Sequence, residues 1–236
     1  MDAKTIAILQ GISTATVTTV LLKKGLRNVW LRDAFPKQPG QKRVVGTAFT
    51  LRFVPAREDL ATPASWASPI STRAAIEAME EGVIAVADAM GVTDAGIFGD
   101  ILCARMAKRK VGALITDGVM RDMEGVLATG LPVWCAGAAA PASVAGLTFV
   151  NWQEPIGCGG VAIFPGDTIV ADGDGAVVIP QALLAEVTEM AAEQEIQEAW
   201  IMGEVEKGVP LPGLYPPNEE TKARYAAWRK SKGTSE

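Results

Sequence analysis

Two short apolar runs, Val83–Ala87 (VIAVA) and Val111–Thr116 (VGALIT), lie on either side of a single helix-length segment, and this spacing limits the fold more than any other feature. Runs this short, with no charged residue inside them, read as buried strands. Between them, Ala95–Lys110 places Ile97, Ile101, Ala104 and Ala107 at helical spacing. A strand, a helix and a second strand so close together predict a crossover unit in a sheet, and therefore an α/β protein.

The rest of the chain extends this plan. Residues 4–25 read as one or two helices, with Ser13 as an N-cap and Gly25 as a stop. Arg27–Lys42 and Arg57–Pro69 read as loops, Arg43–Val54 (RVVGTAFTLRFV) as a strand, and Ser71–Glu81 as a helix ending at Gly82. LPVWCAG, GLTFVNW and GVAIFPGDTIVADGDGAVVIP make the middle section β-rich, with Pro165-Gly166-Asp167 and Asp172-Gly173-Asp174-Gly175 as turns. The DGDG stretch lacks the later Gly and Glu of a calcium-binding EF-hand loop, which favours the turn. Gln181–Glu206 predicts an acidic helix, and Asn218 predicts the cap of a final one. With no repeat and no long linker, the expectation is a single domain, 1–180 plus C-terminal helices over 181–236.

Composition narrows the chemistry. The chain of 236 residues contains no histidine, which removes Ser-His and Cys-His catalysis and HExxH zinc sites. Carboxylates, Arg, Lys, Tyr, Cys, backbone amides or an oxygen-bound metal must carry any reaction. Cys103, Cys135 and Cys158 are an odd count without a CxxC, so inert packing in a reduced, cytoplasmic setting is expected. A net charge of −5 with no basic block argues against nucleic acid as the main partner. The uncharged stretch Gly125–Gln153 is broken by Gly130, Pro132, Gly137, Pro141 and Gly146, so it predicts buried strands and turns, with no membrane partner.

Two motifs carry candidate chemistry. Gly99-Asp100 falls in the first turn of the predicted crossover helix, where the amides of Ile101 and Leu102 would form an anion site. DGVMRD (Asp117–Asp122) follows the next strand and places Arg121 and Asp122 where open α/β sheets bind ligands. A guanidinium fork matches a carboxylate, and Asp122, with Asp100 through water, would suit Mg²⁺ or Mn²⁺. The competing reading is an ordinary helix-start Asp and a surface Arg-Asp turn.

With its GD, its DGxxRD some twenty residues on, and its PGDxIVADGDGAVVIP, the chain resembles the RraA-like family from Ser13 through Pro180. That family includes divalent-metal-dependent 4-hydroxy-4-methyl-2-oxoglutarate aldolases, related oxaloacetate decarboxylases and the regulator of ribonuclease E activity. The resemblance implies a swivelling β/β/α domain with a C-terminal helical extension, assembled as a homotrimer or hexamer with the active site at a subunit interface. It implies that Asp122 ligates the metal and that Arg121 contacts the pyruvyl carboxylate or keto oxygen. Asp100 would position metal-bound water or assist proton transfer, and Gly99, Asp100, Ile101, Leu102 and Arg121 would bind the substrate. A neighbouring chain's glutamate would reach the metal shell, with Glu193, Glu195 and Glu198 as candidates. In place of the Asp that often follows an STATV segment in the family, this chain has Thr18-Thr19-Val20.

The implied reaction forms the enolate of pyruvate, by retro-aldol cleavage of a 4-hydroxy-2-oxo acid or by decarboxylation of oxaloacetate, with Arg121 adding positive charge. A Schiff-base route would need a desolvated lysine, whereas Lys108 and Lys110 sit in a polar helix end. The alternative from another class is a non-enzymatic regulator that binds an RNA-processing enzyme.

Overall fold

The computed structural model describes residues 1–233. The chain forms two compact units, Met1–Thr188 and the residues from Glu189 onward, with the boundary inside a long helix.

The first unit opens with helices α1 (Ala3–Gln10) and α2 (Thr14–Lys23). As expected, Ser13 caps α2, its hydroxyl accepting the Thr16 amide at 3.0 Å, and Gly25 follows in the left-handed region. Strands β1 (Phe35–Pro36) and β2 (Val44–Pro55) come next, then helix α3 (Thr72–Ala78) and strand β3 (Ile84–Asp88). Helix α4 (Asp100–Lys108) crosses to β4 (Ala113–Thr116), followed by β5 (Val119–Met120), α5 (Met123–Ala128), β6 (Val133–Cys135) and β7 (Gly137–Ala138). Strands β8 (Leu147–Trp152), β9 (Thr168–Asp172) and β10 (Gly175–Ile179) complete the β elements.

The main sheet runs β1-β6-β4-β3-β2-β9-β10, and β8 also pairs with β2. β3–β4 is parallel, as the crossover pattern predicted, and β2–β3 and β4–β6 are parallel as well. β2 changes neighbours along its length: Val44–Thr47 pair antiparallel with β9, and Ala48–Arg52 pair parallel with β3.

Burial in β3 and β4 explains their unbroken apolar sequences. Ala85, Ala87 and Leu114 point into a core shared with Ile76, Met79, Cys103, Met106 and Val126 of the helices. Ile84, Val86, Ala113 and Ile115 point the other way, against Ile169, Ala171, Ala176 and Val178 of the β9–β10 hairpin. Each strand is covered on both faces, so no polar alternation survives. The layers are hairpin, sheet and helices, a β/β/α arrangement.

The hairpin and α2 are joined at Asp172. Its carboxylate accepts the Thr14 amide at 2.9 Å and the Thr14 hydroxyl at 2.7 Å, and it pairs with Arg43 at 3.2 Å. Its carbonyl accepts the buried Trp134 indole at 2.8 Å. The DGDG segment is therefore the β9–β10 turn, with the Asp174 amide donating to Asp172 Oδ1 at 3.1 Å. Thr18 and Thr19, which follow the STATV segment, turn their hydroxyls back onto the Ala15 carbonyl.

Three expectations need correction. The predicted helix Ala95–Lys110 begins only at Asp100, because Gly96–Phe98 is drawn into extended pairing with the chain after β4. The Arg27–Lys42 loop contains β1, an edge strand where Pro36 can sit without breaking a ladder. GVAIF forms only an isolated bridge between Ile156 and Ile163.

The second unit holds most of α6 (Leu184–Glu206) and α7 (Glu219–Gly233). Trp200, Ile201, Leu214 and Tyr225 form its own apolar cluster, with Trp228 packed on it. Asn218 caps α7 as predicted, its Oδ1 accepting the Thr221 amide at 2.9 Å. Among the described residues no single helix is long and apolar enough to cross a membrane.

Candidate active site

The two motifs meet through main-chain pairing. The Ile97 amide donates to the Val119 carbonyl, and the Arg121 amide donates to the Phe98 carbonyl, both at 2.9 Å. This short ladder lays Gly99-Asp100 beside Arg121-Asp122, although about twenty residues separate them in sequence. Gly99 becomes the N-cap of α4 and Asp100 its first residue. Asp122 takes the corresponding position before α5, in the left-handed conformation (φ 52°, ψ 43°).

The approach is close enough to demand glycine. A Cβ on Gly99 would stand 2.9 Å from Asp122 Oδ2 and 3.3 Å from Arg121 Cγ, and one on Gly96 would meet the Arg121 backbone nitrogen at 2.7 Å. The two obstacles differ in kind. At Gly99 the neighbours are side-chain atoms of the candidate site, so Gly99→Ala is expected to displace Asp122 and Arg121 and to cut turnover about tenfold or more. Its melting temperature should stay near that of the parent, since φ at Gly99 is −117°. Steady-state assays beside thermal melts would check this, and an unchanged kcat would overturn it.

Gly99, Asp100, Ile101, Leu102, Arg121 and Asp122 all line one cleft of about 280 Å³. Trp66, Thr72, Arg73 and Ser143 also line it, with Gly96, Ile97 and Ala142. Arg121 Nε donates to Asp122 Oδ2 at 3.1 Å, and the side chains are 38% and 50% exposed, open to a ligand. The expectation of a free amide at Ile101 needs correction: it donates to Asp100 Oδ1 at 2.7 Å, so the helix start is partly filled by its own carboxylate.

Asp117, which opens the second motif, lies outside the lining of this cleft and anchors neighbouring loops. Its carboxylate accepts the amides of Ala89 at 2.8 Å, Gly91 at 3.1 Å and Gly159 at 3.0 Å, tying three loops together. Burial pushes its carboxyl above the usual range, against the pull of those amides. Sequence reasoning placed Asp117 in the motif but gave it no role, because its partners come from distant loops.

The three thiols are buried. Burial, with Asp100 nearby, raises Cys103 to about 12, and burial raises Cys135 to about 11 and Cys158 well above its ordinary value. None offers a thiolate near neutral pH, as the packing reading expected.

Of the three candidate glutamates, Glu193 accepts the Tyr225 hydroxyl and two nitrogens of Arg229, and Glu198 accepts Gln194 Nε2 at 2.9 Å.

A β/β/α protein with a Gly-Asp and Arg-Asp cleft at the carboxyl edge of its parallel strands defines the class. Residues 14–178 match the RraA-like (Aldolase/RraA) family model, and the chain belongs to that family. It is 34% identical over 129 residues to a Halalkalibacterium halodurans protein named "Putative 4-hydroxy-4-methyl-2-oxoglutarate aldolase", covering 53% of this chain and 60% of that one. It is 29% identical over 176 residues to protein DlpA of Legionella pneumophila, covering 75% of this chain and 28% of the relative. The chain thus spans less than two thirds of the length of these curated relatives. Among solved structures it resembles Streptomyces coelicolor RraAS2, described as an unusual member of the RNase ES inhibitor RraA protein family. The TM-score is 0.76 at 32% identity, covering 85% of this chain and 96% of that one. A protein from Pseudomonas syringae pv. tomato gives a TM-score of 0.77 at 26% identity, covering 91% and 98%.

Proposed function

We propose that this chain is a Mg²⁺- or Mn²⁺-dependent lyase that forms the enolate of pyruvate, by retro-aldol cleavage of a 4-hydroxy-2-oxo acid, by decarboxylation of oxaloacetate, or by both. The observation that carries this reading is the convergence of Asp100, Arg121 and Asp122 in one open cleft at a helix start.

The donor set suits such a cation. Asp122 and Asp100 offer carboxylate oxygens in the cleft, with no third His, Cys, Asp or Glu grouped with them among the described residues. Mg²⁺ and Mn²⁺ prefer oxygen ligands, and Mg²⁺ is commonly held by one or two carboxylates with several waters retained. When bound, the cation would supply Lewis-acid stabilisation of charge at the keto oxygen.

The chain's own residues would do the rest. Arg121, with Nε committed to Asp122, would turn its remaining donors to the pyruvyl carboxylate or keto oxygen and stabilise the enolate. A bound substrate carboxylate would compete with Asp100 for the Ile101 amide, with the Leu102 amide beside it. Freed from that amide, Asp100 would hold a proton or pass it through water. In a chain without histidine, a carboxylate or water suits this part, and no Lys, Tyr or Cys is among the residues that line the cleft.

Pyruvate release from oxaloacetate and from 4-hydroxy-4-methyl-2-oxoglutarate, followed with lactate dehydrogenase in Mg²⁺ and in EDTA, tests the proposal. Metal-dependent release from the hydroxy acid makes the chain an aldolase, and release from oxaloacetate alone makes it a decarboxylase or an aldolase of another hydroxy acid. The likeness to RraAS2 favours a second reading, a regulator that binds an RNA-processing enzyme. No release from any 2-oxo acid, together with capture of such an enzyme, would establish that reading instead.

A further inference from the structure

The cleft holds a second cation that the pyruvyl end does not use. Arg73 sits in the first turn of α3, and its guanidinium lies 5.0 Å from the centroid of the Trp66 ring. Both residues line the cleft that contains Asp100, Arg121 and Asp122.

Three features leave Arg73 available to a ligand. Arg43, Arg52, Arg57 and Arg105 are each paired with a carboxylate, whereas no hydrogen bond or ion pair to a described residue engages Arg73 or the exposed Arg27, and of these two only Arg73 lines the cleft. A positive charge in the first turn of a helix opposes the helix dipole, so the helix itself gains nothing from it there. Stacking on an indole restrains a guanidinium through its face and leaves its in-plane N–H donors to meet an anion. Trp66 also lines a neighbouring cleft of about 460 Å³ with Ser65, Thr72 and Ser143, so the space continues past the stacked pair.

Resting on the lyase reading above, we infer that Arg73, braced by Trp66, receives the distal carboxylate of the substrate and selects 2-oxo acids that carry a second acid group. Arg121 would then hold the pyruvyl end and Arg73 the far end, with the scissile bond between them. Arg73 is a specificity residue in this scheme, since it touches a non-reacting part of the substrate.

The test uses the full-length chain and two unreactive probes of equal carbon count, 2-oxoglutarate and 2-oxopentanoate, titrated by calorimetry with Mg²⁺ present. The parent is expected to bind 2-oxoglutarate more tightly, and Arg73→Gln to reduce the ratio of the two affinities about 10- to 100-fold. Arg73→Lys keeps the charge but loses the fork and should restore only part of the ratio. Trp66→Leu should lower the ratio by a smaller factor. In turnover, the same loss should appear mainly in KM for a dicarboxylate substrate. A ratio that Arg73→Gln leaves unchanged, in a chain that still releases pyruvate, overturns the role of Arg73 and spares the lyase reading. Binding of neither probe, with no pyruvate release, overturns both.

Discussion

Asp122→Asn and Arg121→Ala are each expected to reduce metal-dependent pyruvate release to below about one-hundredth of the parent, with the fold intact. Asn is the informative replacement at position 122. The residue sits at φ 52°, where Asn is tolerated and where Ala would add about 1 kcal/mol or more of backbone strain. Removing the carboxylate charge while keeping that backbone separates chemistry from folding. The Arg121–Asp122 pair is half open to solvent, so its loss removes little stability. Circular dichroism and a thermal melt should therefore match the parent while turnover disappears. Retained turnover in either variant would sink the lyase assignment.

Asp172→Ala should produce the opposite pattern, a stability loss without a direct lesion in the cleft. The residue is 9% exposed, and its carboxylate holds the Thr14 amide, the Thr14 hydroxyl and Arg43. Truncation would leave a charged group and three donors, the Asp174 amide among them, without their partner, at a cost of about 3 kcal/mol. At roughly 2–4 °C per kcal/mol for a unit of this size, the melting temperature should fall by roughly 6–12 °C.

The pH dependence of the same site has a definite sign. Burial opposes ionisation of Asp172, but the Thr14 amide and hydroxyl, the Asp174 amide and Arg43 outweigh it and hold the carboxyl below its ordinary value of 3.8. A carboxyl depressed on folding contributes stability that is fully present above its unfolded value and is lost as pH falls through its folded one. Melts from pH 6 downward should show a component of acid destabilisation below about pH 4 that Asp172→Ala lacks. Parallel pH profiles for the two proteins would refute this role for Asp172.

Much of this was legible in the chain. VIAVA and VGALIT had to be strands covered on both faces, and both proved to be parallel neighbours in the sheet. Ser13, Gly25 and Asn218 marked helix ends by local chemistry, which depends only on nearby backbone and is readable without a fold. The absence of histidine excluded whole reaction classes by composition alone. The motif residues themselves were also recognisable, as were the buried, inert cysteines.

Other features belonged to the tertiary structure because their causes are distant in sequence. Helical spacing across Ala95–Lys110 could not reveal that Gly96–Phe98 would pair with Val119–Arg121, a contact that ends the helix early and builds the cleft. Nor could spacing show that Asp100 would occupy the Ile101 amide, that Asp117 would gather three loop amides, or that Asp172 would hold α2. The Arg57–Pro69 loop with its Trp66 was legible as a segment that could shape the pocket, but only folding set Arg73 on the Trp66 ring in the cleft that Arg121 lines. The sequence determined which groups were available and which strands would be buried, because those depend on composition and local periodicity. Only the packed chain decided which groups would share one cleft, because long-range backbone pairing sets that distance.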